Sequence, residues 1–321
     1  MSLNPAIDKR LTVRKLESGR LNRALRVRAA PGGKAAHVAM VLQILGANVA
    51  WAGFHGGAEG ASLMEGLNEL GIRTRGVSSS GHTRTNLEIL DEDGTVTELL
   101  EPGPMVTPTE IVSLFKECEG LLRETRQPGT MILSGSLPPG VSVDCYKRFT
   151  ELGHKHGWRV CADTTGEPLR RALEARPDFV KVNLSEALET TGIPIQNLHE
   201  VGIALENLVS NGARSAAISL GARGLAWQVD ANSPALYAAA PAVKVVSAVG
   251  SGDAALAGFV FGLGLGIEKV ATLQLAVACG AANCLADLPG QPQKNEIERF
   301  KDAVDVVPLM SIKTGESLRS C

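Results

Sequence analysis

From Thr107 to about residue 304 the chain alternates short apolar runs with segments of helical periodicity, and this alternation limits the fold more than any other feature. Thr107-Pro108-Thr109-Glu110 reads as a capping box with proline at the first helical position, and Ile111, Leu114, Phe115 and Cys118 form the stripe that follows. Strand-like runs are Met131–Leu133, Arg159–Ala162, Phe179–Val182, Ala216–Leu220 and Leu225–Val229. Helical patterns intervene from Ser142 to about Lys155, from Glu167 to Leu173, from Ser185, and from about Leu198 to Val209. Ala-rich helices follow residue 253 and span 268–287, and a last helix spans 293–304. Such an order predicts an α/β fold, a mostly parallel central sheet with helices on both faces.

Polar or glycine residues close successive strands: Ser134, Asp163, Asn183, Gly221 and Gly250. In an open α/β sheet those carboxyl ends line the ligand crevice. The most chemical of these junctions is Gly250-Ser251-Gly252-Asp253, placed between an extended-looking segment (Val243–Val246) and a small-residue helix. Glycines let the chain turn sharply, and a helix start presents unpaired N–H groups to an anion. Asp253 on that first turn is then a candidate general base beside an anion site. The plainer reading, a capping acid after a flexible loop, loses weight because the other strand ends converge on the same crevice.

The N-terminal third adds a second glycine-rich helix start, Pro31-Gly32-Gly33-Lys34, ahead of Val38, Val41, Leu42 and Leu45 at helical spacing. Lys34 there fits an anionic substrate group, or is an ordinary solvated lysine. Asp8, after Pro5, is either a ligand for polyol hydroxyls or a turn residue. Segments 11–16 and 23–29 alternate like half-buried strands, and 83–90 with 95–100 flank Asp91-Glu92-Asp93-Gly94 as a hairpin. These segments are expected to form a small sheet projecting from the main body. Arg84 within it has the planar fork for a phosphate, or is a solvated strand residue. Val49–Phe54 reads as a strand and residues 59–70 as a helix closed by Gly71.

Net charge is −2 and no basic block occurs, which argues against nucleic acid or a membrane surface as partner. No apolar run has spanning length, and no signal peptide opens the chain. Six cysteines (118, 145, 161, 279, 284, 321) contain no C-x-x-C pair, as expected of thiols in a reducing cytoplasm. His154 and His156 are two apart and face apart on a helix, so a metal site built of protein ligands alone is not expected. Neither a dinucleotide fingerprint after the first strand nor a P-loop is present.

Seven short motifs now stand in one order: Asn4-Pro5-Ala6-Ile7-Asp8, Gly32-Gly33-Lys34, Thr83-Arg84-Thr85-Asn86, Ser134 to Gly140, Asn183-Leu184-Ser185-Glu186, Ser219 to Gly224, and Gly250-Ser251-Gly252-Asp253. In that order the chain resembles the ribokinase-like (PfkB) sugar kinases, and most of all their phosphohexose branch, which contains 1-phosphofructokinase and tagatose-6-phosphate kinase. The resemblance covers essentially the whole of 1–321 as a single kinase domain, with a β-lid formed by about 9–30 and 83–102. It implies ATP- and Mg²⁺-dependent phosphorylation of fructose 1-phosphate or tagatose 6-phosphate in the cytoplasm, and a homodimer through the lid.

Carried over residue by residue, Asp253 would be the base, and the backbone of Gly250, Ser251 and Gly252 would hold the charge on the transferred phosphoryl. Asp8, Gly32, Gly33, His37 and Asn86 would surround the sugar, with Lys34 and Arg84 on its existing phosphate. Asn183, Ser219, Gly221, Gly224, Gly252, Gly280 and Asn283 would line the ATP site, and Glu186 would bind Mg²⁺ through water or simply sit on a helix dipole. The chain departs from the family pattern in Ala35 and His37, where G-G-K-G, a variable residue and Asn are usual, and in Lys181-Val182-Asn183, where Lys-Pro-Asn is common. His37 could hydrogen-bond a hydroxyl or phosphate, or pack at the helix start. These departures bear on the sugar's identity. Two other readings remain open: a ribokinase-like kinase of another sugar or a nucleoside, and a non-catalytic sugar-phosphate sensor.

Overall fold

The computed structural model describes residues 1–125 and 127–311. Cys321 lies outside the described residues, and the other five cysteines are free thiols, four of them buried.

The N-terminal third builds a four-stranded sheet and a two-stranded one. Strand β1 (Ala6–Val13) is followed by β2 (Arg26–Gly32), helix α1 (Lys34–Ile44), β3 (Ala50–His55), α2 (Gly57–Glu69), β4 (Arg73–Ser78), β5 (Arg84–Asp91) and β6 (Val96–Leu100). The order in the first sheet is β2-β1-β5-β6, so the two expected hairpin segments do share one sheet. Strand β1 starts at Ala6 rather than near residue 11, which places Asp8 in a strand, not a turn. Its buried face carries Asp8 and Arg10, opposite Asn86 and Glu88 of β5 in parallel register. An inward-facing polar row of that kind defeats an apolar/polar alternation reading, because its partners come from distant segments.

The remainder forms a seven-stranded sheet. In chain order it comprises α3 (Pro108–Glu124), β7 (Thr130–Ser134), α4 (Cys145–Lys155), β8 (Arg159–Asp163), α5 (Gly166–Glu174), β9 (Phe179–Asn183), α6 (Leu184–Thr191), α7 (Leu198–Ser210), β10 (Ala216–Ser219), β11 (Leu225–Gln228), β12 (Leu236–Ala238), α8 (Ser251–Leu265), α9 (Lys269–Asn283), α10 (Lys294–Lys301) and β13 (Val306–Pro308). Strands β7 to β10 run parallel, and β10 to β13 pair antiparallel. On the β7 side, the Met1 amine bonds Ile132 O (2.8 Å) and Ser2 bridges in parallel to Gly53, which stitches the parallel β3–β4 pair beside the sheet. Helix α3 starts with the expected capping box: Thr107 accepts from the Glu110 amide, and Glu110 accepts from the Thr107 amide.

Both faces of the sheet are covered. Val180, Val182 and Ile218 pack under Val201, Leu205 and Leu208 of α7. On the other face the Phe259 ring of α8 lies 4.9 Å from Phe179 and 5.3 Å from Trp227, which seats α8 on the sheet. Burying such a ring contributes about 1.5–3 kcal/mol. The segment before α8 is not a strand: Val243–Val246 are outside any regular element, with the Val246 amide donating to Cys284 O. Among the described residues no helix is long and apolar enough to cross a membrane.

The carboxyl ends of β7, β8, β9 and β10 are Ser134, Asp163, Asn183 and Ser219, and cross-strand register sets Ser134 beside Asp163 and Asn183 beside Ser219. All but Asp163 open on a cavity of about 1180 Å³, whose other walls are the four-stranded sheet and the N-termini of α1 and α8.

Candidate active site

Helix α8 starts at Gly250, whose φ of 77° is left-handed and favours glycine. A Cβ there would also meet Pro289 Cβ at 2.9 Å. The Ser251 amide donates to Ala248 O at 3.1 Å. Among the described residues no backbone carbonyl takes the amides of Gly250, Gly252 or Asp253. The N–H groups presented at this helix start are therefore those of Gly252 and Asp253, with Gly250, and the Ser251 amide is spent within the turn. A Cβ on Gly252 would stand 2.7 Å from the Lys181 ammonium, so that cation lies directly against the same turn.

Asp253 is buried and its Oδ2 lies 2.7 Å from His37 Nδ1. The other ring nitrogen, Nε2, lies 2.7 Å from Oδ2 of Asp8. Asp8 Oδ1 accepts from Asn86 Nδ2 at 2.9 Å. Burial alone would push the Asp8 carboxyl up; the His37 charge and the bonds from His37 and Asn86 outweigh it and hold it below its ordinary value. Gly32 is required here because a Cβ would fall 2.2 Å from Asp8 Oδ1. Gly32 therefore makes room for Asp8 and does not itself line the cavity, whereas Gly33 does. Both nitrogens of His37 are given to carboxylates, which corrects the expectation of a direct bond from this ring to the sugar.

Lys34 also lines the cavity, but its ammonium is already paired with two acids. Its ammonium lies 2.6 Å from Asp163 Oδ1 and 2.7 Å from Glu186 Oε1. Burial opposes its charge, but Asp163, Glu186 and Asp253 outweigh burial and raise its pKa. Asp163, fully buried, also accepts from Lys181 at 3.1 Å. Burial pushes that carboxyl up, and the two lysines bring it below its usual range. Glu186 closes a capping box on Asn183 as well, so both of its oxygens have partners. Both acids flank the Lys34 ammonium, and of the two only Glu186 lines the cavity; a hard oxygen donor there suits Mg²⁺ held through water.

Arg84 reaches from β5 into the cavity with its fork on backbone carbonyls: Nε and Nη2 donate to Asn4 O, and Nη1 donates to Glu101 O. Of the five guanidinium N–H groups, these three bonds leave two for a ligand. Burial lowers its pKa and nearby Asp8 and Glu101 restrain that. Below this strand, Arg10 and Glu88 form a buried ion pair at 2.9 Å, and the Ser247 hydroxyl donates to Glu88. This pair ties the four-stranded sheet to the loop entering α8.

Asn183, Ser219, Gly221, Gly224 and Gly280 line the cavity. Asn283 does not. Its amide donates to Val249 O (2.8 Å) and Ser251 Oγ, and its oxygen accepts from the Gly290 amide, so it braces the loops around α8 instead. Ser134 faces the cavity as its strand-end position suggested, and so do two residues to which the sequence reading gave no site role, Asn4 and Lys181. Asn4 Oδ1, Asn86 Oδ1 and Ser134 Oγ are buried with no hydrogen-bond partner among the described residues. Orphaned buried polar atoms on a cavity wall are the pattern expected of a hydroxyl-rich ligand site. The strand end at Ser134 and the motif containing Asn4 were visible signals; the aim of Lys181 was not, since it depends on the approach of α8 to β9.

A profile described as the pfkB family carbohydrate kinase matches residues 2–295. The chain belongs to the pfkB family. A 1-phosphofructokinase of Rhodobacter capsulatus is 34% identical over 279 residues, covering 87% of each chain. A crystal structure of phosphofructokinase-2 from Escherichia coli in complex with substrates and products aligns with a TM-score of 0.84 at 25% identity, over 94% of this chain and 97% of that one. Arabidopsis thaliana ribokinase, complexed with ribose and ATP, shares the fold at a TM-score of 0.72 and 18% identity, over 93% and 96% of the two chains. This pfkB protein is a phosphotransferase, an ATP-dependent sugar-phosphate kinase on a ribokinase-like fold.

Proposed function

We propose that the protein transfers the terminal phosphoryl group of ATP to a free hydroxyl of a phosphorylated ketohexose, with fructose 1-phosphate as the first candidate and tagatose 6-phosphate as the second. The observation that carries this reading is one cavity holding an acid at a helix N-terminus, Asp253, together with the half-open guanidinium fork of Arg84. A neutral sugar has no use for that fork, and a relative at 34% identity is named 1-phosphofructokinase.

In this reading Arg84 holds the phosphate the sugar already carries, and Asn4, Asp8, Asn86 and Ser134 take its hydroxyls. Asp253 accepts the proton of the attacking hydroxyl through Oδ1, the oxygen His37 does not use. The new O–P bond forms as the bond from the terminal phosphorus to the bridging oxygen of ATP breaks, and ADP leaves with that oxygen. The amides at Gly250, Gly252 and Asp253 with the Lys181 ammonium face the charge on the transferred group, since such transfer relies on positioning and charge stabilisation. Glu186, with Asp163 nearby, would hold Mg²⁺, which when bound neutralises the nucleotide phosphates. The four-stranded sheet would serve as the lid, and its exposed Val27, Leu99 and Leu100, with Leu21 and Leu25 of the β1–β2 connection, suit a homodimer contact. The free thiols fit a reducing compartment such as the cytoplasm.

The test is an ADP-release assay with Mg²⁺-ATP and fructose 1-phosphate, tagatose 6-phosphate, fructose 6-phosphate, fructose and ribose as acceptors. Turnover of a phosphorylated ketohexose far above the neutral sugars is expected. Preference for a neutral sugar would refute the role of Arg84 and the substrate class with it.

A further inference from the structure

The His37 side chain is 4% exposed and sits between two carboxylates, with Oδ2 of Asp253 and Oδ2 of Asp8 each 2.7 Å from a ring nitrogen. An ionised carboxylate only accepts, and a neutral imidazole donates from one nitrogen only. A ring with a carboxylate on each side therefore satisfies both bonds only as the imidazolium.

We propose that His37 is a positioning residue, a doubly donating imidazolium that fixes Asp253 by one oxygen, turns the other oxygen toward the acceptor hydroxyl, and keys that placement to Asp8 on the sugar side. The inference rests on the kinase reading above and assigns how its base is held.

The surroundings support a cation at this point. From β1 the ring faces Asp8, and from α8 Asp253. From β5 come Asn86, Arg84 and Glu88, and from β6 Glu98, whose carboxyl is pushed up by burial and by Glu88 and Asp8, with His37 acting against that rise. On α1 itself Lys34 is neutralised by Asp163 and Glu186. The loops that close on the ring do so through Gly250 and Gly290 with Pro289, none of which titrates. Burial pushes the imidazole down, and Asp8 and Asp253 outweigh it, raising the ring to about 10. Without the cation, two buried carboxylates would share one pocket, and like charges so placed favour protonation of one of them. A protonated base cannot accept the acceptor's proton, so the charge of His37 keeps the site competent at lower pH.

Two experiments test this. In ¹⁵N-labelled unliganded protein, the ring nitrogens of His37 should both be protonated at about pH 8, where an ordinary histidine is neutral. A neutral ring there overturns the proposal whatever the activity assay shows. The second compares wild type with His37→Asn and His37→Gln by ADP release with fructose 1-phosphate, or the best acceptor of the panel, from about pH 5 to about pH 9. We expect kcat to fall about 10–100-fold, the KM of ATP to change less than about twofold, and the acidic limb of kcat/KM to move up by about one pH unit. Lower activity with an unmoved acidic limb would mean a packing role only and would overturn the proposal. Should wild type turn over no acceptor while the ring is an imidazolium, the kinase reading fails and the positioning role fails with it. Should both variants fail to fold, the nitrogen spectrum of wild type decides.

Discussion

The ammonium of Lys34 lies 2.6 Å from the buried carboxylate of Asp163, at the carboxyl end of β8. A lysine read from sequence as a phosphate ligand is thus held between Asp163 and Glu186. Replacing it with methionine should lower kcat by about 100-fold while changing the sugar-phosphate KM less than about threefold. Steady-state kinetics with both substrates varied would separate the two, and a large rise in sugar-phosphate KM alone would restore the sequence-based role.

Removing the acid of that cluster should cost stability. Asp163 is fully buried and partners both Lys34 and Lys181. Asp163→Asn leaves Lys181 without its carboxylate and Lys34 with Glu186 alone, a change that typically costs about 3–5 kcal/mol. Urea unfolding at neutral pH measures it. Because the folded-state pKa of Asp163 lies below its ordinary value, its contribution is present above about pH 4 and is lost as pH falls through the folded value.

Arg84→Ala should raise the KM for the sugar phosphate about 10–100-fold and leave the KM of ATP within about twofold, since in the proposed reading the guanidinium meets the acceptor's phosphate and not ATP. Arg84→Lys should recover little, because a point charge cannot keep the fork on Asn4 O and Glu101 O while reaching a ligand. An unchanged sugar-phosphate KM in both variants would remove Arg84 from the site.

The His37 strap gives stability an alkaline dependence. Its folded pKa is raised to about 10. The stabilisation is therefore fully present below the unfolded value of about 6.5 and is lost as pH rises through the folded one. The urea midpoint of wild type should fall between neutral pH and about pH 10 more steeply than that of His37→Asn. Parallel curves would contradict an ionised ring.

Local chemistry was legible in the sequence and tertiary pairing was not. The Thr107 capping box, the 83–100 hairpin and the polar strand ends Ser134, Asp163 and Asn183 were readable because each is specified within a few residues. Strand β1 was read too late because its buried side carries Asp8 and Arg10, whose partners His37 and Glu88 lie far along the chain. Strands β12 and β13 have three residues each, too few for alternation to show, and Val243–Val246 looked like a strand but has no strand neighbour. In the site, the residue types were legible while their aims were not. Lys34 and His37 bond acids from distant strands and helices, Asn283 turns away to brace Val249, and Lys181 meets Gly252 only because α8 packs where Phe259 seats it.

The central claim is that Asp253 takes the acceptor's proton in a sugar-phosphate kinase. Single-turnover ADP formation by wild type and Asp253→Asn, with fructose 1-phosphate and Mg²⁺-ATP, tests it most directly. The account predicts near-normal binding of both substrates and a rate lower by about 10²–10⁴-fold in the variant. A loss of less than about tenfold with both substrates bound would contradict it.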